Sequence, residues 1–199
     1  MDTLIRSVNL ADVPAIQAIY ERFVTDTAIS FETEMPDMAE IRRRIEAQGD
    51  RYPWLVFETD RRVAGYAYAS AHRTREAYRW SVDVSVYVSP EFHRRGIGSA
   101  LYTSLLDLLR RQGFVNAYAG ITLPNESSVA LHESLGFTRI GTYRGVGFKF
   151  DRWHDVLWLH LRLINDSMAP PEPLTTERLW TDAGLLEVFR QQARRVSLK

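Results

Sequence analysis

A carboxylate lies in the middle of residues 80–88, where Trp80, Val82, Val84, Val86 and Val88 alternate with Ser81, Asp83, Ser85 and Tyr87. A period of two predicts a strand with Asp83 on its polar face. An aspartate there is costly if buried without a partner. It is also a competent proton acceptor. An ammonium has no lone pair, and a carboxylate acting directly or through one water can take its proton. The alternative is a solvated sheet face, or an ion pair with Arg73 or Arg75. Just beyond the strand come His93-Arg94-Arg95-Gly96-Ile97-Gly98-Ser99, then Leu101, Leu105, Leu108 and Leu109 at helical spacing. Glycines and arginines at a helix start suit an anion, because first-turn N–H groups have no intrahelical partner and the helix dipole adds positive charge. A diphosphate is the natural guest. The alternative is a glycine-bearing turn with solvated arginines.

The turn is neither a dinucleotide fingerprint, since position 101 is Leu, nor a P-loop, since no G-K-[ST] occurs. Residues 93–98 instead resemble the acetyl-CoA loop of the GNAT acetyltransferases, Q/R-x-x-G-x-G/A, with His93 at the usual Gln or Arg position. Asn125-x6-His132-x3-Gly136-Phe137 is similar to the superfamily's Asn-x6-Tyr-x3-Gly-Phe. There the Asn contacts the pantetheine arm and the Tyr can protonate the departing thiolate. By that resemblance His132 is the acid, and an imidazolium is competent near neutral pH. The alternative is a helix histidine bonded to a backbone carbonyl.

The elements that must position these groups can be read in chain order. Residues 4–8 predict a first strand, and Asn9 to Asp12 cap a helix running to Val24. A second helix spans 36–48 and stops at Gly49. Residues 52–59 and 62–71 form a hairpin, and 72–79 a charged loop. After the central strand and helix come a buried strand over 116–123 and a helix capped by Asn125 and ending at Leu135. Strands over 137–144 and 155–163 flank a loop holding Gly145, Lys149 and Trp153. The fold class expected is α/β (α+β): a GNAT fold with a mixed, mostly antiparallel sheet and helices on both faces. Residues 1–164 form the acetyltransferase domain. Residues 165–199 are a proline-containing linker and an amphipathic helix, with Leu179, Leu186, Phe189, Ala193 and Val196 on one face, docked on the body or on a partner subunit.

Composition narrows the function. Lys and Arg number 25 against 25 Asp and Glu, so no net charge draws the chain to nucleic acid. No apolar run is long enough to span a bilayer, and the N-terminus lacks a signal-peptide pattern, so no membrane is expected and a cytoplasmic location is. The absence of Cys excludes an acetyl-cysteine intermediate and thiolate metal sites. Transfer from thioester to amine is therefore direct, and no metal is expected.

Four segments narrow the resemblance. Arg51-Tyr-Pro-Trp-Leu-Val56, Ser85-Val-Tyr-Val-Ser-Pro90, Leu131-His-Glu-Ser-Leu-Gly-Phe137 and Gly147-Phe-Lys-Phe-x-x-Trp-His-Asp-Val156 look like the phosphinothricin and methionine-sulfoximine N-acetyltransferases over residues 3–164. That family carries a catalytic Glu where this chain has Asp83, one methylene shorter. The resemblance implies acetyl-CoA as co-substrate. It implies cofactor contacts from Val86, Tyr87, Val88, Arg94, Arg95, Gly96, Ile97, Gly98, Ser99 and Asn125. It also implies an amino-acid substrate with a second polar head, held by Arg73 and Arg75 and lined by Phe31 and Tyr78, and a homodimer in which Lys149, Trp153 and Asp155 shape the pocket. The rivals are acetylation of another small amine or a protein lysine, and a non-catalytic acetyl-CoA-binding module.

Overall fold

The computed structural model describes residues 2–165 and 170–197. Its strands are β1 (Thr3–Ser7), β2 (Trp54–Thr59), β3 (Arg62–Ala71), β4 (Ser81–Val88), β5 (Asn116–Thr122), β6 (Thr138–Lys149) and β7 (Arg152–Arg162). They form one seven-stranded sheet in the order β1-β2-β3-β4-β5-β7-β6. Only β4 and β5 are parallel; the other neighbours are antiparallel.

Helices cover both faces. On one lie α1 (Val13–Thr25) and α2 (Met38–Gln48), whose Ile16, Ile19, Val24 and Ile41 pack with Trp54, Val56 and Tyr66. On the other lie α3 (Ile97–Gln112) and α4 (Glu126–Ser134), with Leu101, Leu105, Leu108 and Leu109 against Val82, Val84 and Ala117. The alternation of β4 therefore splits as its sequence requires: valines toward α3, Tyr87 toward α1. The expected mixed, mostly antiparallel architecture is what the chain adopts.

Two expectations need correcting. The segment read as a loop around Gly145, Gly147 and Lys149 is strand: β6 runs to Lys149 and turns at Phe150 and Asp151 into β7. Its glycines lie beside register shifts in the ladder, between Arg139 and Gly141 and between Tyr143 and Gly147. The C-terminal helix is α5 (Ala183–Arg195), preceded by a 3-10 turn over Thr176–Arg178, rather than one helix from 177. Asp182 caps it by accepting from the Leu185 N–H at 2.8 Å, which sets where the helix begins. Leu179, Phe189, Ala193 and Val196 of the expected face do pack on the core; Leu185 joins them there, and Leu186 lies beside the buried face.

α5 packs on α3 and β1 of its own chain. The preceding segment is bonded along its length. Trp80 Nε1 donates to the Pro171 carbonyl, Arg51 pairs with Glu172, and the Thr176 N–H reaches the Asp50 carbonyl. Residues 166–169 of the predicted linker lie outside the described residues, as do 1, 198 and 199. No helix among the described residues is long and apolar enough to cross a membrane.

A core built this way predicts that Phe189→Ala costs about 3–5 kcal/mol of unfolding free energy. Leu186→Ala should cost clearly less; urea denaturation compares them, and equal losses would mean a different docked face.

Candidate active site

β4 and β5 pair only at Ser81–Asn116, Val82–Ala117 and Asp83–Tyr118. Each strand continues, held on its far side: β4 stays paired with β3 through Val88, and β5 with β7 through Thr122. The sheet therefore opens into a split whose vertex is Asp83. Within it lies a cavity of about 70 Å³ lined by Val86, Tyr87, Tyr102, Asn125, Ser128 and His132 among others. A larger one of about 500 Å³, lined by Ile29, Phe31, Ser70, Asp83, Tyr143 and Trp158, adjoins it through Val84, Ser85, Gly120 and Thr122. Sequence candidates far apart in the chain thus meet along one passage through the sheet.

Asp83 is partly buried, its side chain 29% exposed. Burial pushes its carboxyl above the usual aspartate value, opposed by His72 and, through its charge, by Arg73. His72 Nδ1 lies 2.7 Å from Asp83 Oδ1. The alternative reading, an ion pair with Arg73 or Arg75, does not form; the partner is a histidine that sequence reasoning missed. The signal was the hairpin register: Ser70 pairs with Asp83, and the chain beyond β3 brings His72 back over the carboxylate.

His132 is 3% exposed. Its Nδ1 lies 2.7 Å from the Ser128 carbonyl, which can only accept, so Nδ1 carries the proton. Nε2 then accepts from the Tyr102 hydroxyl at 3.1 Å. Burial lowers the His132 pKa and raises that of Tyr102. The imidazolium expected from the sequence is thus not the favoured form near neutral pH; the site holds a neutral His–Tyr pair. Tyr102, one helix away on α3, had no sequence signal of its own.

A histidine kept neutral by folding contributes stability that is complete above its unfolded pKa and is lost as pH falls. From about pH 6.5 downward the unfolded chain binds the proton first. Replacing His132 with Gln should make the fall in stability with acidification shallower in denaturant titrations; an unchanged slope would contradict the burial argument.

The basic turn precedes α3 as expected. Gly96 caps the helix at φ 88°, a left-handed conformation that a side chain would strain, and no side chain caps the first turn. A Cβ at Gly96 would meet no protein atom within 4 Å, so the space above the turn is not filled by the chain. Arg94 is exposed, also at positive φ, and the Arg95 guanidinium stands 5.6 Å from the Phe92 ring. His93 turns away: its Nε2 donates to the Val88 carbonyl at 2.9 Å. The Asn125 side chain accepts from the Ser128 N–H, capping α4, and borders the same small cavity.

Loop residues close the larger cavity. Phe31 lines it, and the Lys149 ammonium, buried, donates to the carbonyls of Val24 and Ser30 at 2.6 and 2.7 Å, tying this loop to the β6–β7 hairpin. A Cβ at Gly147 would overlap the Phe31 ring, so that glycine is what lets the ring lie there. Arg73 borders a third cavity with His72, Tyr118 and Trp158, its guanidinium 6.0 Å from the Trp158 ring. Tyr78 sets its ring edge toward His72, and Arg75 is exposed ahead of the 3-10 turn Glu76–Tyr78. Trp153 is exposed, and Asp155 pairs with Arg144 at 2.6 Å.

Residues 5–158 match the family model described as Acetyltransferase (GNAT) domain. The chain is 42% identical to the phosphinothricin N-acetyltransferase of Streptomyces viridochromogenes over 85% of its own length and 92% of that protein's. It is 38% identical to the L-methionine sulfoximine/L-methionine sulfone acetyltransferase of Salmonella typhimurium, over 84% and 98%. Among solved structures, it resembles a GNAT superfamily phosphinothricin acetyltransferase from Sinorhizobium meliloti in complex with AcCoA. The TM-score is 0.82, at 35% identity over 92% of this chain and 98% of that one. The split sheet, the turn at its mouth and these likenesses converge: the chain belongs to the GNAT family and is an acetyl-CoA-dependent N-acetyltransferase.

Proposed function

We propose that the chain acetylates the α-amino group of phosphinothricin, methionine sulfoximine or a related amino acid, by direct transfer in a ternary complex. The observation that carries this reading is Asp83 at the vertex of the split, bordering the roomy cavity on one side of a passage whose other end holds Asn125, Tyr102 and His132. The likeness to enzymes named for those substrates supplies the amine's chemical class.

Acetyl-CoA, when bound, supplies the activated acyl group. The main chain from Arg94 to Ser99 holds its diphosphate at the uncapped start of α3. Val86, Tyr87 and Val88 present a strand edge to the pantetheine arm, and N–H groups near Tyr87 and Val88 meet charge developing on the carbonyl oxygen. Asn125 completes this wall. Asp83 takes a proton from the substrate ammonium and so exposes the nitrogen lone pair. The Tyr102 hydroxyl, which donates to His132 Nε2 in the resting site, turns its one O–H from that nitrogen to the departing sulfur in place of the imidazolium. Arg73 and Arg75 receive the substrate's carboxylate or second anionic head, since guanidinium binds such groups bidentately. Phe31 and Tyr78 line the apolar part.

The same reading includes a homodimer. Ile140, Tyr143, Val146 and Phe148 on β6, with Phe150 and Trp153, are each at least half exposed on an edge hairpin. A contiguous apolar patch on a sheet edge is suited to being covered by a second copy of the chain. Sedimentation should show a dimer that Trp153→Glu with Phe148→Glu converts to monomer; a monomeric parent chain would reject this part.

Acetylation itself is tested by release of free thiol from acetyl-CoA across an amine panel. Release should require phosphinothricin, methionine sulfoximine or methionine sulfone, and Asp83→Asn should lower turnover about 10²-fold or more. No release with any of the three rejects the substrate assignment.

A further inference from the structure

Asp83 is held by more than the strand that carries it. Across the β3–β4 ladder, His72 leaves the end of β3 and returns its Nδ1 to Asp83 Oδ1 at 2.7 Å. The imidazole has little freedom. It stacks on Tyr118 with ring centroids 4.2 Å apart and planes 19° from parallel, and the rings of Tyr78 and Trp158 stand edge-on to it at 6.0 and 6.2 Å. Its side chain is only 14% exposed. Tyr118 is also the residue paired with Asp83 across the last rung before the split. Carboxylate, imidazole and tyrosine therefore form one small frame at the vertex.

We propose that His72 is a positioning residue for the proton acceptor: it clamps Oδ1 of Asp83 and turns Oδ2 to the amine. This rests on the reading of Asp83 as the base. An ionised carboxylate only accepts, so the proton of this hydrogen bond sits on His72 Nδ1. In the proton step, an N–H bond of the substrate ammonium breaks and an O–H bond forms at Oδ2. The electron pair stays on nitrogen, ready for acyl transfer, and Asp83 later returns the proton to solvent at its exposed side. His72 keeps its own proton throughout. A short side chain needs such a clamp more than a long one, because it cannot swing toward the amine without leaving the strand's reach.

The imidazole also acts on charge. Burial disfavours the ionised carboxylate, and the His72 hydrogen bond opposes it. The other titratable groups around Asp83 are Arg73 beside His72, Tyr68 on β3 and Tyr118 on β5. Behind Tyr118 stands His160 on β7, whose Nε2 is bonded to Asn116; Glu32 and Arg44 reach the site only through Tyr68. Arg73 acts in the same direction as His72, through space rather than by contact.

Three variants test this: His72→Phe, which keeps a ring for Tyr118 but loses the donor; His72→Asn, whose amide can replace Nδ1–H; and Asp83→Asn. Two readouts are needed. The first is the titration of Asp83 itself, by NMR of carboxyl-labelled aspartate. The second is the pH profile of thiol release with methionine sulfoximine. In His72→Phe only the more distant charge of Arg73 still opposes burial, so Asp83 should titrate about one pH unit higher. The acid-side fall in turnover should move up with it, with kcat lowered about tenfold near neutral pH and KM little changed. His72→Asn should restore most of both. An Asp83 titration and a kcat profile unchanged in His72→Phe would overturn the inference. Full activity of Asp83→Asn would instead sink the base reading, while the NMR titration still reports the His72–Asp83 link.

Discussion

The structure depends on one interrupted ladder. β4 and β5 are the only parallel pair in the sheet, and they pair over three residues and then part. Their outer edges stay zipped to β3 and β7, so neither strand can lean across to close the gap. Main-chain donors and acceptors inside a protein require partners. An extended guest that borrows those edges, as strand-adding peptides do, satisfies the requirement. The opening is thus a consequence of how the flanking hairpins are anchored rather than of any one residue in the cleft. Because it begins directly after Asp83, the same interruption that makes room also delivers a carboxylate to its apex.

The passage is chemically polarised. On the α1/α2 side stands a carboxylate whose burial, which favours its neutral form, is opposed by a histidine. On the α3/α4 side stand a histidine and a tyrosine, both neutral because burial penalises their ionised forms. A reaction that removes a proton from a nucleophile and returns one to a leaving group needs that asymmetry. The loop carrying Ile29 and Phe31 caps the carboxylate side, and the buried Lys149 ammonium fixes that loop to the far hairpin. The edge of the sheet therefore shapes the amine site without touching the phosphate turn.

Much of this was legible in the residue pattern, and the exceptions have physical causes. The period of β4, the leucines of α3 and the capping Asn125 are local signals, and each element formed where its pattern placed it. Gly145 and Gly147 read as a loop, yet irregular pairing inside a long hairpin uses the same residues. The start of α5 was misplaced because Asp182 caps the helix three residues after Leu179, where the apolar pattern begins. His72 and Tyr102 were invisible for another reason. Their partners, Asp83 and His132, are reached through strand register and helix packing, and neither pair has a fixed sequence spacing to recognise. The burial of His132, which disfavours the imidazolium that an acid role would use, is a property no motif encodes.

A crystal structure with acetyl-CoA bound tests the central claim most directly. The account predicts the diphosphate on the amides that open α3, the pantetheine arm along β4 between it and β5, and the acetyl group at the vertex beside Asp83. Electron density placing the arm outside the split, or the acetyl group on a face that Asp83 does not reach, would contradict it.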